Sequence, residues 1–151
     1  MENKRKVVFL DFDGVLNSAA SPVRWHGLDM SNTRHLNRII IHTKCSIVIS
    51  SSWRSMVDMD FMKQCLEGAG FLYPDYIIGS TPVTQDYVRG REIEQWRIEH
   101  EHTGNYVILD DCENMLEEQQ PFYVQTSFDE GLTRIHADRA IEILNAGMEE
   151  Q

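Results

Sequence analysis

A chain of 151 residues has room for one compact core and not for two, and its 42% apolar and 25% charged residues are ordinary for a globular domain. With 14 basic and 24 acidic residues the net charge is −10, which opposes broad, nonspecific binding to a nucleic-acid backbone. The uninterrupted apolar runs are only a few residues long, far short of a membrane span.

In chain order, VVFL at 7–10 predicts a first strand. SNTRHLNRIIIHT at 31–43 predicts a helix capped by Ser31, with Leu36, Ile39 and Ile40 on one face. SIVIS at 46–50 predicts a second strand. A helix from Val57 to Glu67 then turns Met62, Cys65, Leu66 and Ala69 inward and ends at Gly68 or Gly70. DYIIG at 75–79 predicts a third strand. A helix from Arg91 to His102 carries Ile93 and Trp96 on its core face and is closed by Gly104. NYVIL at 105–109 is a fourth strand, followed by a short helix at 114–118, a fifth strand FYVQ at 122–125 and a last helix from Ala137 to Asn145.

Strand–helix alternation with nearly continuous apolar strands predicts an α/β fold with a parallel sheet covered on both faces. One domain over residues 1–151 is expected, an open Rossmann-like sheet of about five strands in three layers. Right-handed crossovers bring the C-terminal strand ends to one edge, where ligands of such sheets bind. The apolar run after the basic start MENKRK is too short for a secretory signal, so a cytoplasmic location is expected. Cys45, Cys65 and Cys112 are odd in number and widely spaced, as suits buried reduced thiols. His100 and His102 are two apart and so do not share a helical face, which argues against a metal site there.

The strand ends carry the chemistry. Asp11 and Asp13 follow the first strand, Ser50, Ser51, Ser52, Trp53 and Arg54 the second, and Asp110 and Asp111 the fourth. Four converging carboxylates raise one another's pKa unless a cation neutralises them. Hard oxygen donors favour Mg²⁺ over zinc. Acids around Mg²⁺, with hydroxyls and cationic side chains opposite, suit a phosphate group.

These residues resemble the haloacid dehalogenase (HAD) superfamily. DFDGVLN is similar to its first motif, IVISSS to its second and VILDD to its fourth. Arg89 in YVRGREIEQW, or else Arg91, matches the basic third motif. The spacing of SSSWR, RGREIEQW, YVILDD and GLT more narrowly resembles the HAD domains of Swiss-army-knife RNA repair proteins.

The resemblance implies a role for each matching position. Asp11 would be the nucleophile that forms an aspartyl-phosphate, and Asp13 the acid and base serving the leaving oxygen and the attacking water. Gly14 would allow the turn that brings Asp13 round. Mg²⁺ would be held by Asp11, the carbonyl of Asp13, and Asp110 or Asp111. Ser50 or Ser51 would bind phosphate oxygens, and Arg89 and Arg54 would offset charge on the transferring group. Asp at position 13 is the residue of the phosphatase and phosphotransferase branch.

The segment between Val15 and Met30 is too short for a folded cap domain and reads as a flap, with Arg24, Trp25 and His26 facing either the substrate or the scaffold. A minimal cap is associated in this superfamily with large substrates, which points to a phosphate on a nucleic-acid end or a nucleotide. A small-metabolite phosphatase and a non-catalytic HAD-fold binding module are the alternatives. A receiver domain fits poorly, because DYIIGST offers no acceptor acid after the third strand and QTSFDEG no lysine after the fifth.

Overall fold

Alternation along the central strand decides which helices cover which face. The structure, a computed structural model, describes residues 3–21 and 27–147. Strands β1 (Val7–Leu10), β2 (Ser46–Ile49), β3 (Ile77–Ser80), β4 (Tyr106–Asp110) and β5 (Tyr123–Gln125) form one all-parallel sheet in the order β3-β2-β1-β4-β5. Helices α1 (Met30–Thr43), α2 (Met59–Gly68), α3 (Arg89–Glu99) and α4 (Arg134–Leu144) lie between and after the strands. Val8 and Leu10 join a large core with Leu36, Ile39, Ile40, Leu66, Ala137 and Leu144 from α1, α2 and α4. Val7 and Phe9 face the other way, onto Ile93 and Trp96 of α3. The result is the expected three-layer Rossmann-like arrangement. None of the described helices is long and apolar enough to cross a membrane.

The boundaries differ from expectation where side chains compete with helical pattern. Asp29, not Ser31, caps α1: its carboxylate accepts from both the N–H and the hydroxyl of Ser31. Helix α2 starts at Met59 with Asp58 as its cap, after a 3₁₀ turn over Ser52–Ser55. Helix α3 starts two residues early, at Arg89, and ends at Glu99. Gly104 does not close it; an added Cβ there would meet the backbone of Lys4 and Arg5 at 2.5 Å. The helix expected at 114–118 is a 3₁₀ turn over Glu117–Phe122 instead, in which Pro121 has no N–H to continue an α-helix.

That turn is tied to α3 through Gly90. The Gln119 side chain accepts from Leu116 N–H and donates to the Gly90 carbonyl, and a Cβ on residue 90 would lie 2.6 Å from Gln119 Oε1. Glycine at this position is what lets the first turn of α3 approach so closely. Cys45 and Cys65 are buried thiols and Cys112 is partly exposed; all three are free.

The chain entering β1 is latched at its far end by His102. Its Nδ1 accepts from Arg97 Nε at 3.1 Å, so Nε2 carries the proton and donates to the Arg5 carbonyl at 2.8 Å. Burial, and then the nearby Arg97, Arg5 and His100 charges, hold its pKa below the ordinary 6.5. The folded state therefore binds less proton here than the unfolded chain does. This contribution is complete above the unfolded value and is lost as pH falls through it toward the folded one. Denaturant midpoints should fall between about pH 7 and pH 5, and His102→Gln should remove part of that slope.

Candidate active site

Backbone ladders carry three strands to the same level. The N–H of Asp11 donates to the Leu109 carbonyl at 3.0 Å, and that of Ser50 to the Leu10 carbonyl at 2.8 Å. The ends of β1, β2 and β4 are thus fixed side by side at the switch point of the sheet, where β2 lies to one side of β1 and β4 to the other.

Each of Asp11, Asp110 and Asp111 offers a carboxylate oxygen, and the three oxygens lie within 4.8 Å of one another. Asp110 is 0% exposed at the end of β4 and Asp11 is nearly as buried. Burial, reinforced by the Asp110 charge, pushes Asp11 from 3.8 up to about 8. Burial and then Asp110 also push Asp111 up. The local cation is Arg89, whose Nη1 is 2.5 Å from Asp110 Oδ2 and 3.5 Å from Asp11 Oδ1. Burial works against its charge, yet Asp110 and Asp11 outweigh that and raise its pKa. Three acids and one guanidinium leave excess negative charge at a site of hard oxygen donors. The donor set fits a small divalent cation such as Mg²⁺.

The turn after β1 depends on Gly14. Its φ is +81°, and a Cβ at this position would stand 2.1 Å from Asp111 Oδ2. Only glycine meets both conditions. The turn directs the Asp13 carboxylate to partners of its own. Asn17 Nδ2 donates to Oδ1 at 2.9 Å, and Trp53 Nε1 donates to Oδ2 at 3.2 Å. Asp13 is not among the three acids whose side chains cluster.

The serine and arginine alternatives separate in the structure. Ser51 Oγ accepts from the Trp53 N–H as the cap of the 3₁₀ turn, whereas buried Ser50 Oγ has no hydrogen-bond partner among the described residues. This orphaned hydroxyl stands at the end of β2, next to the β1 end that carries Asp11, and is available to a ligand. Arg91 is 64% exposed and pairs with Asp86, away from the acids.

Arg54 is not placed as expected. Its side chain is only 6% exposed, and all five N–H groups are used within the protein. Nε donates to Thr81 O, Nη1 to Ser50 O and Ser51 O, and Nη2 to Pro82 O and Glu92 Oε1. None is left for a phosphate. The guanidinium instead shapes the β2 and β3 end loops, because a rigid fork satisfies several carbonyls that have no strand partner.

Glu92, Asn17 and Trp53 were not expected in these roles. Glu92 is buried, pairs with Arg54 at 2.8 Å and lies 3.9 Å from Arg89 Nε. Its one sequence signal is a charged residue three positions after Arg89, one turn along the face that helix α3 buries. Arg24, Trp25 and His26 of the expected flap lie outside the described residues.

Removing Glu92 leaves a buried guanidinium uncompensated. Glu92→Ala should cost about 3–5 kcal/mol and Glu92→Gln less, since glutamine retains an acceptor; urea unfolding measures both.

The family model for the HAD domain in Swiss Army Knife RNA repair proteins matches residues 7–137, from the start of β1 into α4. No curated protein and no solved structure matches. The matched span takes in Asp11, Ser50, Arg89 and Asp110, and the chain belongs to this HAD family.

Proposed function

We propose that the chain is a Mg²⁺-dependent phosphomonoesterase that works through an aspartyl-phosphate on Asp11. The observation that carries this reading is the convergence of Asp11, Asp110 and Asp111 with Arg89 and the unpartnered Ser50 hydroxyl at one sheet edge. The family match supports a phosphorylated substrate.

In this reading Asp11 attacks phosphorus, the bond to the leaving oxygen breaks, and that oxygen takes a proton from Asp13. A water then attacks the acyl phosphate, gives its proton to Asp13 and releases inorganic phosphate from Asp11. Ser50 Oγ donates to a phosphate oxygen, and Arg89 balances charge on the transferring group. Arg54 holds the loop that presents Ser50 and makes no phosphate contact. Asp11, Asp110 or Asp111, and the carbonyl of Asp13 would hold Mg²⁺, which supplies charge neutralisation so that an anionic nucleophile can approach a phosphate. A nucleic-acid end or a nucleotide is the preferred substrate class, and the protein is expected to act in the cytoplasm. A net charge of −10 disfavours extended contact with a nucleic-acid backbone, so recognition of such an end would be confined to the site.

Asp11→Asn should lower Mg²⁺-dependent phosphate release from an aryl phosphate by at least about a thousandfold while the protein still unfolds cooperatively. Unchanged turnover would remove Asp11 from its role. End-phosphorylated oligonucleotides, nucleotides and sugar phosphates compared with and without Mg²⁺ identify the substrate class.

The raised pKa of Asp11 has a sign that can be measured. Without metal the folded state holds a proton that the unfolded chain has released, so this contribution to stability is lost as pH rises from 3.8 through about 8. Mg²⁺ should expel that proton at neutral pH, seen as a binding enthalpy that varies with the ionisation enthalpy of the buffer.

A further inference from the structure

The Asp13 carboxylate is held from two sides, by one donor four residues along the chain and by another forty residues along it. Asn17 Nδ2 reaches one oxygen and Trp53 Nε1 the other. Resting on the reaction set out above, we propose that Trp53 is a positioning residue for Asp13, whose indole N–H fixes the angle at which that carboxyl meets the leaving oxygen.

Asp13 lies on an exposed turn, where an unrestrained carboxylate would sample several rotamers. Its two donors are themselves anchored. Asn17 Oδ1 accepts from the Gly14 N–H at 2.9 Å, and its Nδ2 also donates to the Gly27 carbonyl at 2.6 Å. The Trp53 ring packs edge-on against Phe12, with centroids 5.0 Å apart and planes at 78°. Its backbone N–H donates to Ser51 Oγ, and its carbonyl accepts from the N–H groups of Met56 and Val57. A donor so fixed can hold the carboxyl group in one orientation. Each carboxylate oxygen has two lone pairs. With one on each oxygen taken, one site per oxygen remains for the proton exchanged with the leaving group and then with water. The cost of losing such alignment falls on steps that need the proton, because small misplacements of a catalytic group slow proton transfer steeply.

A second account of Trp53 is simple packing: its ring lies beside Phe12 and within van der Waals reach of a Cβ placed at Gly27. Removing the N–H while keeping the ring separates the two. Trp53→Phe keeps an aromatic ring at this position and deletes the donor. The readout is kcat/KM, which covers the steps up to departure of the leaving group, for an alkyl phosphate and for p-nitrophenyl phosphate. The alkoxide needs a proton as it leaves and the nitrophenolate needs little help. Trp53→Phe should lower kcat/KM for the alkyl ester about tenfold and for the nitrophenyl ester less than about twofold.

An equal loss on both substrates, or no loss on either, overturns the inference. If phenylalanine shifts the unfolding midpoint, 3-benzothienylalanine at position 53 preserves the indole shape with sulfur in place of N–H and is read in the same way. Turnover by the parent that Asp11→Asn abolishes establishes the hydrolase reading independently of Trp53. A parent that hydrolyses neither ester overturns both.

Discussion

Repulsion among buried carboxylates is the constraint around which this edge of the sheet is organised. Asp110 is fully buried and Asp11 nearly so, and burial together with their proximity drives Asp11 to hold a proton near neutral pH. Such an arrangement is costly unless positive charge is supplied. Arg89 supplies one unit, and its own place is secured by a glycine: Gly90 lets the first turn of α3 sit against the Gln119 side chain. A helix that began at Arg91, as periodicity alone suggests, would not carry Arg89 in its first turn.

The two arginines near the site show how position divides similar chemistry. Arg89 faces carboxylates and keeps open geometry toward Asp11. Arg54 faces carbonyls and is saturated by them, with Glu92 balancing its charge. Glu92 also accepts from the Thr84 N–H and lies near Arg89, so one buried carboxylate couples the loop after β2, the loop after β3 and the start of α3. The site is held by polar groups whose partners lie in other elements, while the apolar cores on both sheet faces hold the elements themselves.

The strands were legible because VVFL, SIVI and YVIL are short apolar runs bounded by polar residues, and burial on both faces leaves them little freedom to be anything else. The acids were legible because they stand directly after those runs. Helix starts were less so: Asp29 displaced Ser31 as a cap, and capping depends on which side chain reaches which N–H, not on residue type alone. The 3₁₀ turn over Glu117–Phe122 was hidden because the groups that stabilise it, Gln119 and the Gly90 carbonyl, are 29 residues apart. The internal partners of Arg54 are hidden for the same reason: Thr81, Pro82 and Glu92 lie far along the chain. Ser50 and Ser51 are likewise indistinguishable by residue type, since both are buried and only their hydrogen bonds differ.

Asn17 and Gly27 are fastened to each other by a single amide, the same one that grips Asp13. One side chain thus serves two fastenings, so a substitution at Asn17 releases the Gly27 carbonyl and the acid together. That ties two evolutionary variables together: position 17 cannot drift at its contact with Gly27 without disturbing the acid as well.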